Sequence, residues 1–382
     1  MTDKLYYAGP GISLKFLSSF MHCRKFAAVI ITCLVSISTI AQVSWYKCFS
    51  GKIDKYDVTI HLHKRAHQYT GYYYYNSTQQ PISFIGEDST RQDTVKLIAF
   101  IPAKQTEENF TFSINGNSCT GKWTNSSGKT LNFSANEITP TPGWDYVFTK
   151  GSIQLRPKLK NSPVAGYEAA AVWPEGDTEQ ILFLKKTINE WYAKDSSTTD
   201  IEQLFIKKKK EFFDGYLSDN KNVTDSELAN AYSFNMEEIQ TINVAFQSTQ
   251  LLTLANASYN YSGGAHGNYA TNYLSIDMMK NKKLSLDDIL SATGKAQLRR
   301  LLEKCFRKEY NLKEAEALTE GGLFENKIEP NKNFFVTRKC IGFSYAPYEI
   351  GPYALGEIVI FIPLAELSTY LQVDFKKMLT IY

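Results

Sequence analysis

The stretch with the most chemical character reads Tyr259-Asn260-Tyr261-Ser262-Gly263-Gly264-Ala265-His266-Gly267-Asn268-Tyr269. Gly263, Gly264 and Gly267 let the backbone take positive φ and let a ligand or a second segment come close. A histidine on such a turn is placed to act as a base or as a ligand. For catalysis it needs an orienting carboxylate or a nucleophile, and Asp277, Glu349 and Ser262 are the candidates. The plainer alternative is that His266 pins the turn through backbone hydrogen bonds. Tyr259, Tyr261 and Tyr269 supply flat, amphipathic rings of the kind that stack on sugars and anchor protein contacts. The expected binding residues are therefore Tyr259, Tyr261, Gly263, Gly264, His266, Gly267 and Tyr269. Tyr348 and Glu349 join them from the late segment Pro347-Tyr348-Glu349-Ile350-Gly351-Pro352-Tyr353-Ala354-Leu355-Gly356. No catalytic residue is assigned.

His61 and His63 stand two apart in an alternating run, so their rings share one face of a strand. With His67 or Asp57 as a third ligand such a pair could hold zinc. Val58, Ile60 and Leu62 make the opposite face the core, which puts the two histidines, Thr59 and Arg65 on an ordinary wet face. No metal and no cofactor is expected: there is no P-loop, no dinucleotide fingerprint and no G-x-S-x-G. Cys48, Cys119, Cys305 and Cys340 are an even set that permits disulfides in an oxidising compartment. The pairing Cys48–Cys119 with Cys305–Cys340 puts one bridge in each part of the chain; buried free thiols are the alternative.

These residues need elements to position them. Residues 44–136 read as strand throughout, with turn signals at Asn76-Ser77, Asn115-Gly116-Asn117 and Ser127-Gly128. The even spacing means an all-β meander, closed as a barrel or folded as a sandwich. Thr139-Pro140-Thr141-Pro142-Gly143 lies in a linker, 137–147. From 148 to 382 the pattern turns to α+β. A helix capped by Asp177 and running through Trp191 is expected, with others at about 199–213, at 295–310 and at 364–371. Long strands are expected near 232–246 and 250–261. Ser285 and Asp288 suit a capping box.

Residues 21–41 have the order of a secretory signal: His22, Arg24 and Lys25, then an uncharged apolar run, then Thr39-Ile40-Ala41. Cleavage before Gln42 and a periplasmic or secreted destination are expected, with no membrane span in the mature chain. Residues 1–20 are atypical for such a signal, and Met21 is a candidate start. The net charge of +3 is nearly balanced and gives no reason to expect a nucleic-acid partner.

The G-G-A-H-G turn, the segment Lys282–Ile289 with its L-S-L-D-D-I core and the late P-Y-E-I-G-P-Y-A-x-G segment together resemble the C-terminal domain shared by the anti-sigma factor RsiV and the deacetylase PdaC. The resemblance spans roughly residues 145–382. It implies an extracytoplasmic α+β domain, which in RsiV senses lysozyme by binding it. The zinc deacetylase motif of PdaC and the membrane span of RsiV are not legible here. What the resemblance implies is non-catalytic recognition of peptidoglycan, another glycan or a lysozyme-like protein. The alternative is an enzyme acting on cell-wall polysaccharide.

Overall fold

Alternation of apolar and polar residues governs the first part of the chain, and it closes on itself. The computed structural model describes residues 44–89, 94–101, 106–195, 200–228 and 232–380. The expected export signal at 21–41 lies outside them. Eight antiparallel strands follow one another: β1 (Ser44–Ile53), β2 (Tyr56–Arg65), β3 (Gln68–Tyr75), β4 (Ile82–Ser89), β5 (Thr94–Ile101), β6 (Thr106–Asn115), β7 (Ser118–Asn125) and β8 (Thr130–Ile138). β8 pairs back with β1, Cys48 opposite Ile138 and Ile53 opposite Phe133, so the meander is a closed barrel.

Eight strands leave a lumen that side chains can fill. Phe49, Val58, Ile60, Leu62, Phe110 and Phe133 fill it here. Phe110 meets Tyr73 and Phe133 edge to face, with centroids 5.1 and 5.4 Å apart. Trp123 Nε1 donates to Glu108 Oε2 at 3.0 Å and Tyr73 OH donates to the same carboxylate. Both polar tips of these buried rings are thereby satisfied.

Thr139–Gly143 connects β8 to β9 (Trp144–Gln154); the flanks of the expected 137–147 linker are strand, belonging to β8 and β9. β10 (Val164–Pro174) runs antiparallel to β9. Two helices follow, α1 (Glu179–Ala193) and α2 (Ile201–Asp219), then the short α3 (Asp225–Leu228). The side chain capping α1 is that of Thr178, which accepts from Ile181 N–H, and not that of Asp177 as expected. Ile181, Leu184 and Ile188 recur at helical spacing and are buried against the sheet. β11 (Met236–Gln247), β12 (Leu251–Tyr261), β13 (Asn268–Asp277) and β14 (Lys282–Lys283) complete a sheet of order β14-β13-β12-β11-β10-β9, in which β10 and β11 are parallel.

α4 (Leu286–Ile289) starts where expected, with Ser285 N–H donating to Asp288 Oδ2 at 2.9 Å. α5 (Ala292–Glu309) packs on a second sheet, β15 (Phe334–Val336), β16 (Cys340–Tyr345) and β17 (Ile358–Pro363). The expected helix at 364–371 is instead one 3₁₀ turn, Leu364–Leu367, followed by α6 (Val373–Thr380). The protein is thus mixed α+β with an all-β N-terminal barrel.

Two expectations are overturned by how the barrel sits. The wet face expected for His61 and His63 is instead an interface: both are buried, as is Arg65, because β2 and β3 pack against β11 and β9 of the six-stranded sheet. The expected disulfides are absent as well, and all four cysteines are buried free thiols. Cys48 points out of the barrel toward Tyr46 and Trp144, whereas Cys119 points into the lumen beside Phe133. β8 also runs between their strands. Cys305 faces the core around α5, while Cys340 turns its Sγ to Gln79 O of the barrel, 3.3 Å away. Strand and helix facing, which loop arithmetic does not register, decides both cases.

Candidate functional site

β12 and β13 form a hairpin whose connection is the glycine-rich turn. Gly263 has φ +86° and Gly264 φ +106°. A Cβ on Gly263 would stand 2.1 Å from Ser233 O, so close backbone approach and conformation both require glycine there. At Gly267 a Cβ would meet the Tyr259 ring at 2.5 Å, so the missing side chain is what lets that ring lie across the turn.

The structure brings the turn and the late segment together around His266. Its ring stacks on Tyr353 with centroids 4.0 Å apart and lies 6.2 Å from Tyr348, nearly parallel to both. Tyr269 meets Tyr353 edge-on at 5.5 Å. His266 Nδ1 donates to Gly267 O at 3.1 Å, which assigns Nε2 as acceptor from Tyr348 OH at 3.3 Å. Tyr353 OH donates to the same Gly267 O at 2.9 Å, and Tyr261 OH donates to Gly264 O at 3.0 Å. Tyr348 is 53% exposed and holds a left-handed φ of +70°. Burial pushes the hydroxyls of Tyr259 and Tyr353 up from the usual phenol value, so these rings act as neutral donors and stacking faces.

The candidate catalytic partners of His266 are engaged elsewhere. Asp277, at the far end of β13, accepts from Met279 N–H and Lys280 N–H. Glu349 accepts from Ala346 N–H at 2.9 Å and from Asn331 Nδ2 at 2.8 Å, so it braces the loop that carries Tyr348 rather than addressing His266. Ser262 is exposed. Among the described residues no group of three His, Cys, Asp or Glu side chains is placed to hold a metal ion.

Two aromatics that sequence reasoning does not single out belong to this surface. Tyr353 is the central ring, and its signal was its place in the Pro347–Gly356 segment. Phe324 is 54% exposed, and its N–H donates to Ile350 O in the same loop, at 2.9 Å. Beside the cluster, Tyr259 and Tyr269 also line a crevice that runs between the sheet and the barrel, past Thr241, Thr271 and Ser83. Glu357 closes that side: it accepts from Thr271 N–H and from Thr271 Oγ1, and burial raises its carboxyl above the usual value.

No curated protein matches the chain. Among solved structures, a member of the DUF3298 family from Bacteroides fragilis is similar, at 20% identity and TM-score 0.55, over 63% of this chain and 99% of that one. A DUF3298 family protein from Pseudomonas aeruginosa PAO1 is also similar, at 15% identity and TM-score 0.38, over 60% of this chain and 95% of that one. The first likeness shows the fold. Residues 282–365 match the model of a protein of unknown function, DUF3298. The match includes the late segment with Tyr348 and Tyr353 and leaves the turn at His266 outside. Residues 282–365 of this chain are a C-terminal DUF3298 domain.

Proposed function

We propose that this chain is a non-catalytic extracytoplasmic binding protein whose tyrosine cluster around His266 recognises a cell-envelope glycan. One observation carries the reading: the His266 ring stacks on Tyr353 and, more loosely, on Tyr348 within one surface cluster, and its two ring nitrogens are bonded to Gly267 O and Tyr348 OH. A general base of the triad kind needs a carboxylate to orient its ring, and Asp277 and Glu349 bond elsewhere. A stacking platform needs a fixed ring plane, which is what these two hydrogen bonds supply. Sugar faces stack on such rings while hydroxyls bond to the phenol oxygens. The extracytoplasmic setting rests on the signal-like residues 21–41 and on the resemblance to the RsiV/PdaC domain. The exposed Phe324 beside the cluster favours a second reading, in which a lysozyme-like protein docks on the same face.

The test is calorimetric titration of the protein with chitotetraose, with soluble peptidoglycan fragments and with lysozyme. Binding of a glycan by the wild type, weakened about 1–3 kcal/mol by Tyr348→Ala, supports the proposal. Binding of lysozyme alone moves the conclusion to the protein ligand. Glycan turnover that vanishes in a folded His266→Ala variant overturns the non-catalytic reading.

A further inference from the structure

The barrel and the six-stranded sheet meet through a bond that needs a neutral histidine. β11 carries an irregularity between Val244 and Phe246, where its register against β12 shifts by one residue. At that point the Val244 N–H donates to His63 Nε2 of the barrel, 3.1 Å away. His63 Nδ1 donates to Thr70 O on β3, at 3.3 Å. Both ring nitrogens are therefore committed, one as donor and one as acceptor, and the ring is 0% exposed. We propose that the His63–Val244 contact is an acid-sensitive latch that holds the barrel against the sheet.

Protonation puts a hydrogen on Nε2 and sets two donors face to face. The acceptor of the Val244 N–H is lost and a charge is left in a buried contact. The groups around the ring offer that charge no relief. Tyr46 from β1 and Tyr146 from β9 lie 4.9 and 5.1 Å from it, centroid to centroid, and burial holds both phenols neutral, with their pKa raised. Cys48 on β1 is likewise a neutral thiol, pushed up to about 12. His61, next on the same face, is bonded to Tyr46 OH at 2.8 Å and lies near Tyr74 OH of β3 at 3.4 Å. Arg65, two residues along β2, is a cation.

Glu168 on β10 is already shared, with Oε1 2.6 Å from Arg65 Nε and Oε2 3.1 Å from Lys150 Nζ on β9. Glu237, farther along β11, is raised by burial and by Glu168. Glu357 lies on the far side, against Tyr72 of β3 and Thr271. Consistently, His63 is held well below the ordinary histidine value, first by burial, then by His61, and less by Arg65. Acid therefore weakens this contact, and neutral pH restores it.

The experiment is small-angle scattering and hydrogen exchange on the full chain from pH 7.5 to 4, with exchange corrected for its intrinsic pH dependence and far-ultraviolet dichroism recorded alongside. The expected result is an increase in radius of gyration and at least tenfold faster exchange at Val244, below about pH 6 and before β-sheet dichroism falls. His63→Gln can accept from Val244 and donate to Thr70 without titrating, and should move the transition to lower pH by about one unit or more. An unchanged midpoint in His63→Gln overturns the latch. So does a wild type that stays closed until its sheet signal collapses. If His63→Gln does not fold, the ring signals of His63 are followed by NMR in the wild type. Titration of that ring with no change in radius of gyration overturns the latch equally.

Discussion

The ring of His266 lies face to face with Tyr353, centroids 4.0 Å apart, and both side chains bond to the carbonyl of Gly267. One backbone oxygen thus fixes the ring of its neighbour His266 and a ring 86 residues further along the chain. Tyr353→Phe removes the hydrogen bond and keeps the ring. It should cost about 0.5–1.5 kcal/mol of stability and leave ligand affinity nearly unchanged. Tyr353→Ala removes the stack as well and should abolish glycan binding in a chain that still folds. Urea melts and titration calorimetry on the two variants check this, and equal affinity loss in both would show that the hydroxyl, not the stack, reads the ligand.

The turn should respond unequally to its glycines. Gly263→Ala meets Ser233 O and a φ of +86°, and should destabilise by more than about 3 kcal/mol. Gly264→Ala has φ +106° but open space around its Cβ, so only the conformational cost of about 1–3 kcal/mol applies. Thermal melts that rank Gly264→Ala as the worse variant would contradict the Ser233 contact.

Arg65 and Glu168 are a buried ion pair across the barrel–sheet interface, about 5% and 4% exposed at their side chains. Arg65→Ala strands the carboxylate with Lys150 alone and should cost about 3–5 kcal/mol. Arg65→Met combined with Glu168→Leu removes both charges and should recover most of that loss. A double variant no better than the single one, in chemical denaturation, would show that the ion pair has net value of its own.

Burial pushes the His61 imidazole down to about 3. The folded state therefore binds this proton less readily than the unfolded chain, whose histidines titrate near the ordinary value of 6.5. The stability that the neutral ring contributes is whole above pH 6.5 and is lost as pH falls from 6.5 toward 3. The slope from this one group approaches about 1.4 kcal/mol per pH unit within that window. His61→Gln should flatten the stability-versus-pH curve there and leave its shape above pH 7 unchanged, as measured by urea melts at each pH.

The cysteines should be silent until the fold is lost. Burial pushes the thiols of Cys48, Cys119 and Cys340 up to about 12 and that of Cys305 to about 11. At neutral pH a thiol reagent should label none of the four in the native protein and all four in guanidinium. Non-reducing peptide mapping that finds a Cys48–Cys119 or Cys305–Cys340 bridge would contradict the opposed facing of these side chains.

Much of the architecture is legible in the sequence because it is local. The alternation Val58, Ile60, Leu62 sets the lumen face of β2 whatever the strand packs on, and turn residues at Asn115-Gly116 space the meander. The spacing of Ile181, Leu184 and Ile188 marks the buried side of α1, and Ser285 with Asp288 marks a helix start. The glycine-rich turn also announces itself, since few sequences put three glycines around one histidine without a backbone reason. Tertiary structure decided what lies beyond these periods. Alternation says that His61 and His63 face away from Leu62, but not whether water or a second sheet covers them. The β11 irregularity at Val244 and the partner Glu168 come from strands a hundred or more residues away, and only packing brings them to β2. The same holds for the site: Tyr353, in the β16–β17 connection, reaches His266 because β13 packs against β15 and β16 of the second sheet, a relation with no period in the chain. Cys48 and Cys119 were free to be paired on paper until closure of the barrel set one outside and the other inside its wall.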